Sequence, residues 1–156
     1  MNIKKIIEAQ KELDKANMKK GGLTEYPLDM VQTAYRVELG ELLQEWKQFK
    51  FWKINKGEID REKMLEEWAD CMHFALSLNN NIYKCKSYTY DDFRRAVEYE
   101  KILDIYKVIN DCFSVNMFTL SCVIALGLKL GYTLEELEKA YWKKNKINWE
   151  RIEGGY

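Results

Sequence analysis

The chain has few of the residues that several kinds of functional site require. It holds one histidine, His73, and four cysteines, Cys71, Cys85, Cys112 and Cys122, without the C-x-x-C and histidine spacing of a zinc site. Nor does it contain a G-x-x-x-x-G-K loop, a G-x-S-x-G turn or a Cys/His pair suited to nucleophilic catalysis. The cysteines are therefore expected to be reduced core thiols, and any phosphate group would have to be held by metal and side chains.

An excess of charge and a long apolar run are also missing. Lys plus Arg number 25, as do Asp plus Glu, so the formal net charge is zero, whereas nucleic-acid binders carry a basic excess. The most apolar stretch, residues 115–130, is interrupted by Asn116, Thr119 and Ser121 and is too short to span a bilayer. No basic segment followed by an apolar one opens the chain. We therefore expect a cytoplasmic protein that binds neither nucleic acid nor membrane.

The length of 156 residues fits a single domain, 1–156, which can bury roughly two-thirds of its unfolded surface. Apolar residues recur at helical spacing along most of the chain, and the only proline, Pro27, lies in a predicted loop. We therefore predict an all-α fold, a helical bundle. The predicted helices cover residues 1–18, 29–49, 61–78, 93–113, 115–130 and 134 onward, and the predicted loops cover 21–28, 50–60 and 79–92.

Three glutamates share the apolar side of the second predicted helix. At about 100° of rotation per residue, Glu38, Glu41 and Glu45 fall in one narrow sector together with apolar residues. Asp29 and Gln32 can form a capping box at the start of this helix. Because burying ionised carboxylates without partners is costly, a cation is expected to meet them.

A second pair of acids, Glu67-x-x-Asp70, lies at the edge of the third predicted helix. Carboxylates three residues apart project to the same side of a helix, so two such helices packed antiparallel would bring Glu38, Glu41, Glu67 and Asp70 to one pocket. Four hard oxygen donors suit Mg²⁺, with Mn²⁺ as a substitute. Taken alone, Glu67 and Asp70 could also be charges at the rim of the core.

The order and spacing of these motifs resemble a known family. Glu38-x-x-Glu41, followed after 25 residues by Glu67-x-x-Asp70, is similar to the metal-binding signature of the all-α NTP pyrophosphohydrolase superfamily. Within it, three further motifs resemble the dimeric dUTPases, and together the motifs span nearly the whole chain. These motifs are F-K-F-W-K at 49–53, E-E-W-A-D-C-M-H-F at 66–74 and K-x-x-x-N-x-x-R-x-x-x-G-Y at 144–156.

The resemblance implies a homodimeric, Mg²⁺-dependent enzyme that hydrolyses dUTP, and dUDP as well, to dUMP. The four acids would hold the metal, and Glu41 would be the general base that takes a proton from the attacking water. By the same resemblance Gln10 would contact the pyrimidine. His73 and Phe74 would bound the deoxyribose, with Phe74 occupying the space of a 2′-hydroxyl.

An aromatic and a cation stand side by side between the two acidic helices. Trp52 and Lys53 lie in a predicted loop rich in aromatic residues and lysines. A bare aromatic in such a loop can simply cover the core. A nucleotide, however, needs a flat stacking partner and a cation for phosphate, and the resemblance places base and phosphate here. We therefore assign Trp52 to the base and Lys53 to phosphate.

The apolar stripe of the last predicted helix becomes polar toward its C-terminus, at Lys144, Asn148 and Arg151. The helix dipole alone favours cations at that end. Because the stripe continues the buried face, we prefer to interpret these residues as a triphosphate clamp. Tyr156, which follows two glycines, would close over the ligand.

Residues 115–130 are apolar on nearly every side, and Gly131 is expected to end their helix. A helix without a polar face must be buried all round, which in a small protein predicts a subunit interface and a homodimer. The last helix then begins with a capping box of Thr133 and Glu136.

Two other functions remain open at this point. A related all-α pyrophosphohydrolase could act on dCTP or a modified nucleotide through the same metal site. Alternatively, the chain could be a non-catalytic helical interaction module, in which the acids only form ion pairs with Lys144 and Arg151.

Overall fold

Six α-helices form the part of the chain that the structure describes. The structure is a computed structural model, and it describes residues 1–83, 101–111 and 119–155. No strand occurs within these ranges, which confirms the predicted all-α class. The helices are α1 (Ile3–Lys20), α2 (Leu28–Trp46), α3 (Arg61–Leu78), α4 (Ile102–Asp111), α5 (Thr119–Lys129) and α6 (Leu134–Glu153).

Side-chain caps fix the first residues of three helices. Asn2 caps α1 and Asp60 caps α3, each by accepting the backbone N–H of the residue three positions on. At the start of α6, Thr133 and Glu136 form the predicted capping box, in which each side chain bonds the other residue's backbone N–H. These caps satisfy backbone donors that have no partner inside the helix.

The start of α2 differs from the prediction. The helix begins at Leu28, directly after Pro27, and no side chain caps it. Asp29 therefore lies inside the first turn instead of in the capping position, so the predicted capping box of Asp29 and Gln32 is wrong. The carboxylate of Asp29 still lies where the helix dipole favours a negative charge.

The end of α2 also comes earlier than predicted. Lys47 adopts the left-handed conformation, with φ at 61°, and this ends the helix after Trp46. Phe49, predicted to lie on the helix, therefore belongs to the loop of residues 47–60. The large apolar side chains that this loop exposes are Phe51, Trp52 and Ile54.

Helix α3 lies at the centre of the fold, in contact with α1, α2, α5 and α6. Its Trp68 is fully buried and donates its Nε1–H to the backbone carbonyl of Val123 in α5, at 2.8 Å. Helix α5 can come this close because residue 127 is glycine. A Cβ at Gly127 would lie 2.7 Å from Nε1 of Trp68 and 2.8 Å from the side chain of Leu137.

The segment predicted as a loop from residue 79 onward begins as a helix. Asn79–Tyr83 forms a π-helical turn that continues α3. In this turn Asn80 donates to the carbonyl of Ile7 at 3.0 Å, and Asn81 donates to Oδ2 of Asp14 at 3.1 Å. These amides connect the turn to α1, and because residues 79–83 are helical, the predicted loop is wrong over these residues.

Helix α5 is buried by the chain itself. Every residue from 120 to 127 is buried, and the helix contacts α3, α4 and α6. The apolar composition of residues 120–127 is thus explained within one chain, and it does not by itself require a second subunit. The homodimer stays a prediction.

Some predictions fall on residues outside the described ranges. The predicted helix 93–113 is described only from residue 101, where α4 lies inside it. The start of the predicted helix 115–130 lies outside, as do Cys85, Cys112 and Tyr156. The other two cysteines, Cys71 and Cys122, are buried in the core, as predicted. Among the described helices, none combines the length and apolar character that crossing a membrane would need.

Candidate functional site

Three carboxylates meet where α2 and α3 face each other. Glu38, Glu67 and Asp70 each offer an oxygen within 4.8 Å of the other two, and all three side chains are partly buried. The two helices run antiparallel here, since Glu45, further along α2, pairs with Lys63 at the start of α3 at 2.7 Å. The structure therefore brings together three of the four predicted metal ligands.

Burial and mutual repulsion disfavour the charged forms of these acids. Desolvation raises the pKa of Glu38 to about 7, the charges of Asp70, Glu41 and Glu67 add to the shift, and Lys144 opposes it. Desolvation also raises the pKa of Glu67, with Glu41 and Asp70 adding to the shift. Neither Glu38 nor Glu67 has a hydrogen-bond or ion-pair partner among the described residues. Hard oxygen donors in this electrostatic state fit a divalent cation such as Mg²⁺.

Glu41, the fourth predicted ligand, is exposed and lies outside this group of three. Glu45 lies apart as well, because its partner is Lys63. The sequence predicted that the α2 glutamates lie within the apolar face of the helix. In the structure they lie along the edge of that face. The buried face of α2 consists of Tyr35, Leu39, Leu42 and Leu43.

Asp70 has a cationic partner on α6. Nζ of Lys144 lies 2.6 Å from Oδ2 of Asp70, and each side chain is only 18% exposed. Burial nevertheless raises the pKa of Asp70, because desolvation exceeds the opposing effects of Lys144 and Arg151. Along α6, exposure increases from the buried Tyr141 through Lys144 and Asn148 to the exposed Arg151, so the predicted change from an apolar to a polar stripe is present.

A cavity of about 430 Å³ extends from the acids toward α1. Asp70, His73 and Ser77 line it in successive turns of α3, so it follows roughly 10 Å of that helix. The acids lie at one end of this path, and uncharged hydrogen-bonding groups follow. The other lining residues that matter here are Gln10 and Asp14 on α1, Glu38 on α2, Phe74 on α3, and Asn148 and Arg151 on α6.

Gln10 is held between two partners at the α1 side of the cavity. Its Oε1 accepts a hydrogen bond from Nδ1 of His73 at 2.7 Å, and its Nε2 donates to Oδ1 of Asp14 at 2.8 Å. The hydroxyl of Tyr141 donates to the same Oε1 at 3.4 Å, and the Tyr141 ring stacks on His73. Burial lowers the pKa of His73 to about 3. The ring is therefore neutral, and because Nε2 of Gln10 donates to Asp14, Oε1 faces His73 and the ring hydrogen lies on Nδ1.

Asp14 is a buried carboxyl on the cavity wall that no sequence motif indicated. Its oxygens accept from Gln10 and Asn81. Burial raises its pKa to about 6, while the hydrogen bonds from Gln10, Ser77 and Asn81 act in the opposite direction. The one sequence feature that could have indicated this contact is the spacing of four residues between Gln10 and Asp14, which places them on the same face of α1.

Trp52 and Lys53 do not line this cavity. Their loop, residues 47–60, follows the C-terminal end of α2, and Glu38 is the cavity-lining residue of α2 nearest to that end. Trp52 is 60% exposed and packs edge-on against two phenylalanines of its own loop. Within one chain the structure thus separates these two residues from Gln10, with which the sequence analysis had grouped them.

Comparison with protein families identifies the family of this chain. The model of the dUTPase family matches residues 2–156, which includes the acids, the Gln10 network and the polar end of α6. No curated protein matched the chain. The chain therefore belongs to the all-α dUTPase family, whose members are nucleoside triphosphate pyrophosphohydrolases that act on dUTP.

Proposed function

We propose that this dUTP diphosphatase uses Mg²⁺, with Mn²⁺ as a substitute, and that it converts dUTP, and also dUDP, to dUMP. One observation carries the proposal: the acids Glu38 and Asp70 line the same cavity as Gln10 and His73. A nucleotide lying along α3 would place its phosphates against the acids and its base against Gln10. Residues 1–156 would then be one catalytic domain, which removes dUTP from the nucleotide pool and supplies the precursor of dTMP.

The proposed metal ligands are Glu38, Glu41, Glu67 and Asp70. Two of them, Glu38 and Glu67, have no other partner among the described residues, so a cation would offset both their burial and their repulsion. When bound, the metal supplies charge neutralisation at the phosphate oxygens and activation of water.

Glu41 is proposed as the general base. It is the exposed member of the four acids and stands outside the tight group, so its carboxylate can take a proton from the attacking water. Lys144, Asn148 and Arg151 would bind the phosphate oxygens as pyrophosphate leaves. In that state Lys144 would exchange part of its contact with Asp70 for phosphate, which its flexible side chain permits.

The sugar would lie between the acids and Gln10. His73 and Phe74 line the cavity one turn beyond Asp70 and are proposed to bound the deoxyribose. The ring of Phe74 would occupy the space of a 2′-hydroxyl, so that ribonucleotides are poor substrates. Gln10 would contact the pyrimidine.

We further propose a homodimer in which the loop of residues 47–60 covers the cavity of the second copy. The loop exposes three large apolar side chains, Phe51, Trp52 and Ile54, and such surfaces mark sites of interaction. The second copy's loop would bring Trp52 to the base and Lys53 to a phosphate, and Tyr156 would help to close the site.

The test of the dimer is its mass in solution. Light scattering at micromolar concentration should give twice the chain mass of 18.7 kDa. The double variant Trp52→Ala plus Ile54→Ser should be a folded monomer with a raised KM for dUTP. A wild-type protein that is monomeric and fully active would contradict the homodimer.

A cytoplasmic setting, without nucleic-acid or membrane partners, completes the proposal. The buried Cys71 is a free thiol, as expected in a reducing compartment. The net charge of zero provides no excess of basic residues for nucleic acid.

The experiment that tests the function is pyrophosphate release from dUTP, dCTP, dTTP and UTP, each with Mg²⁺ and with EDTA. We expect dUTP to be hydrolysed best, UTP poorly, and none of the four in EDTA. Preference for dCTP would instead identify the related pyrophosphohydrolase with the same metal site. No hydrolysis of any nucleotide would favour the interaction module, of which the ion pair between Lys144 and Asp70 would then be a part.

A further inference from the structure

The amide of Gln10 has one unused hydrogen-bonding group. Its oxygen is occupied by His73 and Tyr141, and one N–H of Nε2 is taken by Asp14. The second N–H has no partner among the described residues, although Gln10 is only 3% exposed and lines the cavity. A buried donor without an acceptor is costly, so this N–H is suited to a ligand that accepts a hydrogen bond.

Asp14 decides which end of the amide is free. Rotating the Gln10 amide by 180° barely changes its shape but exchanges its donor and its acceptor. In the rotated state Oε1 would face the Asp14 carboxylate, which is repulsive, whereas His73 could still bond to the amide by carrying its ring hydrogen on Nε2. Since burial raises the pKa of Asp14 only to about 6, Asp14 is a carboxylate at neutral pH and can only accept.

Asp14 is itself held in place from the other side. Its Oδ2 accepts from Nδ2 of Asn81 at 3.1 Å, and the same Nδ2 donates to the carbonyl of Ser77 at 2.9 Å. The carboxylate therefore links α1 to the π-helical turn after α3. This second contact keeps Asp14 from turning away from Gln10 when a ligand enters.

We propose that Asp14 is a positioning residue for substrate selection: it holds the amide of Gln10 so that an N–H, and not the carbonyl, meets the group at C4 of the pyrimidine. Uracil has a carbonyl at C4 and accepts this hydrogen bond. Cytosine has an amine there, and two donors facing each other in a closed site leave both unpaired, which is how a polar pocket rejects an analogue. The inference rests on the proposed function, in which Gln10 contacts the base.

The test compares kcat/KM for dUTP and dCTP. In Asp14→Ala the amide can rotate, so the ratio of kcat/KM for dUTP to that for dCTP should fall at least tenfold. Because Asp14 acts through Gln10, the double variant Gln10→Ala plus Asp14→Ala should have the same ratio as Gln10→Ala alone. Glu12→Ala is the matched control, since this acid lies on the same helix but its partner is the exposed Lys15; it should keep the wild-type ratio.

A merely structural role for Asp14 would give a different result. The melting temperature and both kcat/KM values would then fall together, and an unchanged ratio would overturn the inference while leaving the proposed function intact. A wild type that hydrolyses neither nucleotide would overturn both.

A second measurement needs no Asp14 variant and covers the case in which Asp14→Ala does not fold. In NMR spectra of the wild type, the side-chain N–H₂ signals of Gln10 are identified by their loss in Gln10→Ala. One of these protons should move downfield with dUMP and not with dCMP. Equal shifts with the two nucleotides would mean that Gln10 meets a group common to both bases, and would overturn the inference.

Discussion

Lys144 reaches across from α6 to place its Nζ 2.6 Å from Oδ2 of Asp70, inside the acidic group that α2 and α3 form. A lysine in this place already offsets one negative charge, so a divalent cation would have to share Asp70 with it or displace it. The same contact keeps the lysine at the edge of the acids, where the phosphates of a nucleotide would arrive. The ion pair thus links the metal ligands to the polar stripe of α6.

Replacing this lysine should separate its two effects. Lys144→Met is expected to tighten Mg²⁺ binding, because Asp70 loses its competing partner, and to lower kcat/KM for dUTP at least tenfold, because a phosphate contact is lost. Lys143→Met is the matched control, since the neighbouring lysine forms an exposed pair with Glu66. Calorimetric titration with Mg²⁺ and steady-state kinetics measure both. Equal behaviour of the two variants would contradict a special role for Lys144.

Mg²⁺ should stabilise the fold through the acids. A ligand at a hundredfold excess over its Kd adds about 2.7 kcal/mol, which for a chain of this size corresponds to a rise in Tm of about 5 °C or more. The double variant Glu38→Ala plus Glu67→Ala should show no rise, whereas Glu45→Ala should respond like the wild type because Glu45 is paired with Lys63. Thermal unfolding in EDTA and in millimolar Mg²⁺ measures the change in Tm. If the double variant shows the same rise in Tm as the wild type, the metal binds elsewhere.

The stability of the metal-free protein should depend on the charge of Glu38. Its pKa is about 7 in the fold against an ordinary value of 4.5, so the folded protein binds the proton more tightly, and stability falls as the pH rises from 4.5 to 7. Glu38→Gln should therefore be more stable than the wild type at pH 8 and show little gain at pH 4. The full rise in the pKa of Glu38 corresponds to roughly 3 kcal/mol in the free energy of unfolding. Because the side chain is partly exposed, we expect Glu38→Gln to gain about 1 kcal/mol at pH 8. Urea unfolding in EDTA at pH 4, 6 and 8 measures the difference, and a gain that does not change with pH would contradict this account.

Two glycines should respond in opposite directions to the same substitution. Gly127→Ala would put a Cβ 2.7 Å from Trp68 Nε1, so α3 and α5 would have to separate, at a cost of about 1–3 kcal/mol. Gly40→Ala lies inside α2 with nothing within 4 Å of the new Cβ, and better helix propensity should add about 0.5–1 kcal/mol. Chemical denaturation of the two variants tests both expectations. A neutral Gly127→Ala would show that Trp68 can move.

Features that depend only on the periodicity of a helix could be predicted from the sequence. Glu38, Glu67 and Asp70 converge as expected for acids at helical spacing on two antiparallel helices, although Glu41 lies outside their group. The capping box of Thr133 and Glu136 is a local pattern, and it too is present. Such features need no knowledge of what the helix packs against.

Features that depend on distant partners were not predictable. Asp14 is an ordinary acid in the sequence, and it belongs to a buried network because Gln10 on its own helix and Asn81 from the end of α3 both donate to it. The left-handed conformation of Lys47, which ends α2, is likewise unusual for a residue other than glycine. The apolar pattern of α5 shows that the helix is buried, but it cannot show whether the covering surface belongs to the same chain.

The π-helical turn Asn79–Tyr83 has a consequence for the phase of α3. A π-helical turn holds one residue more than an α-helical turn, and Asn81 within this turn donates to Oδ2 of Asp14. Removing one residue, for example by deleting Asn80, would rotate the next side chain by about 100° and move the Asn81 amide away from Asp14. We expect such a deletion to change the preference between dUTP and dCTP while the acids keep their place. In this protein the preference for one base would then depend on the number of asparagines after α3, more than one helical turn away from the phosphates.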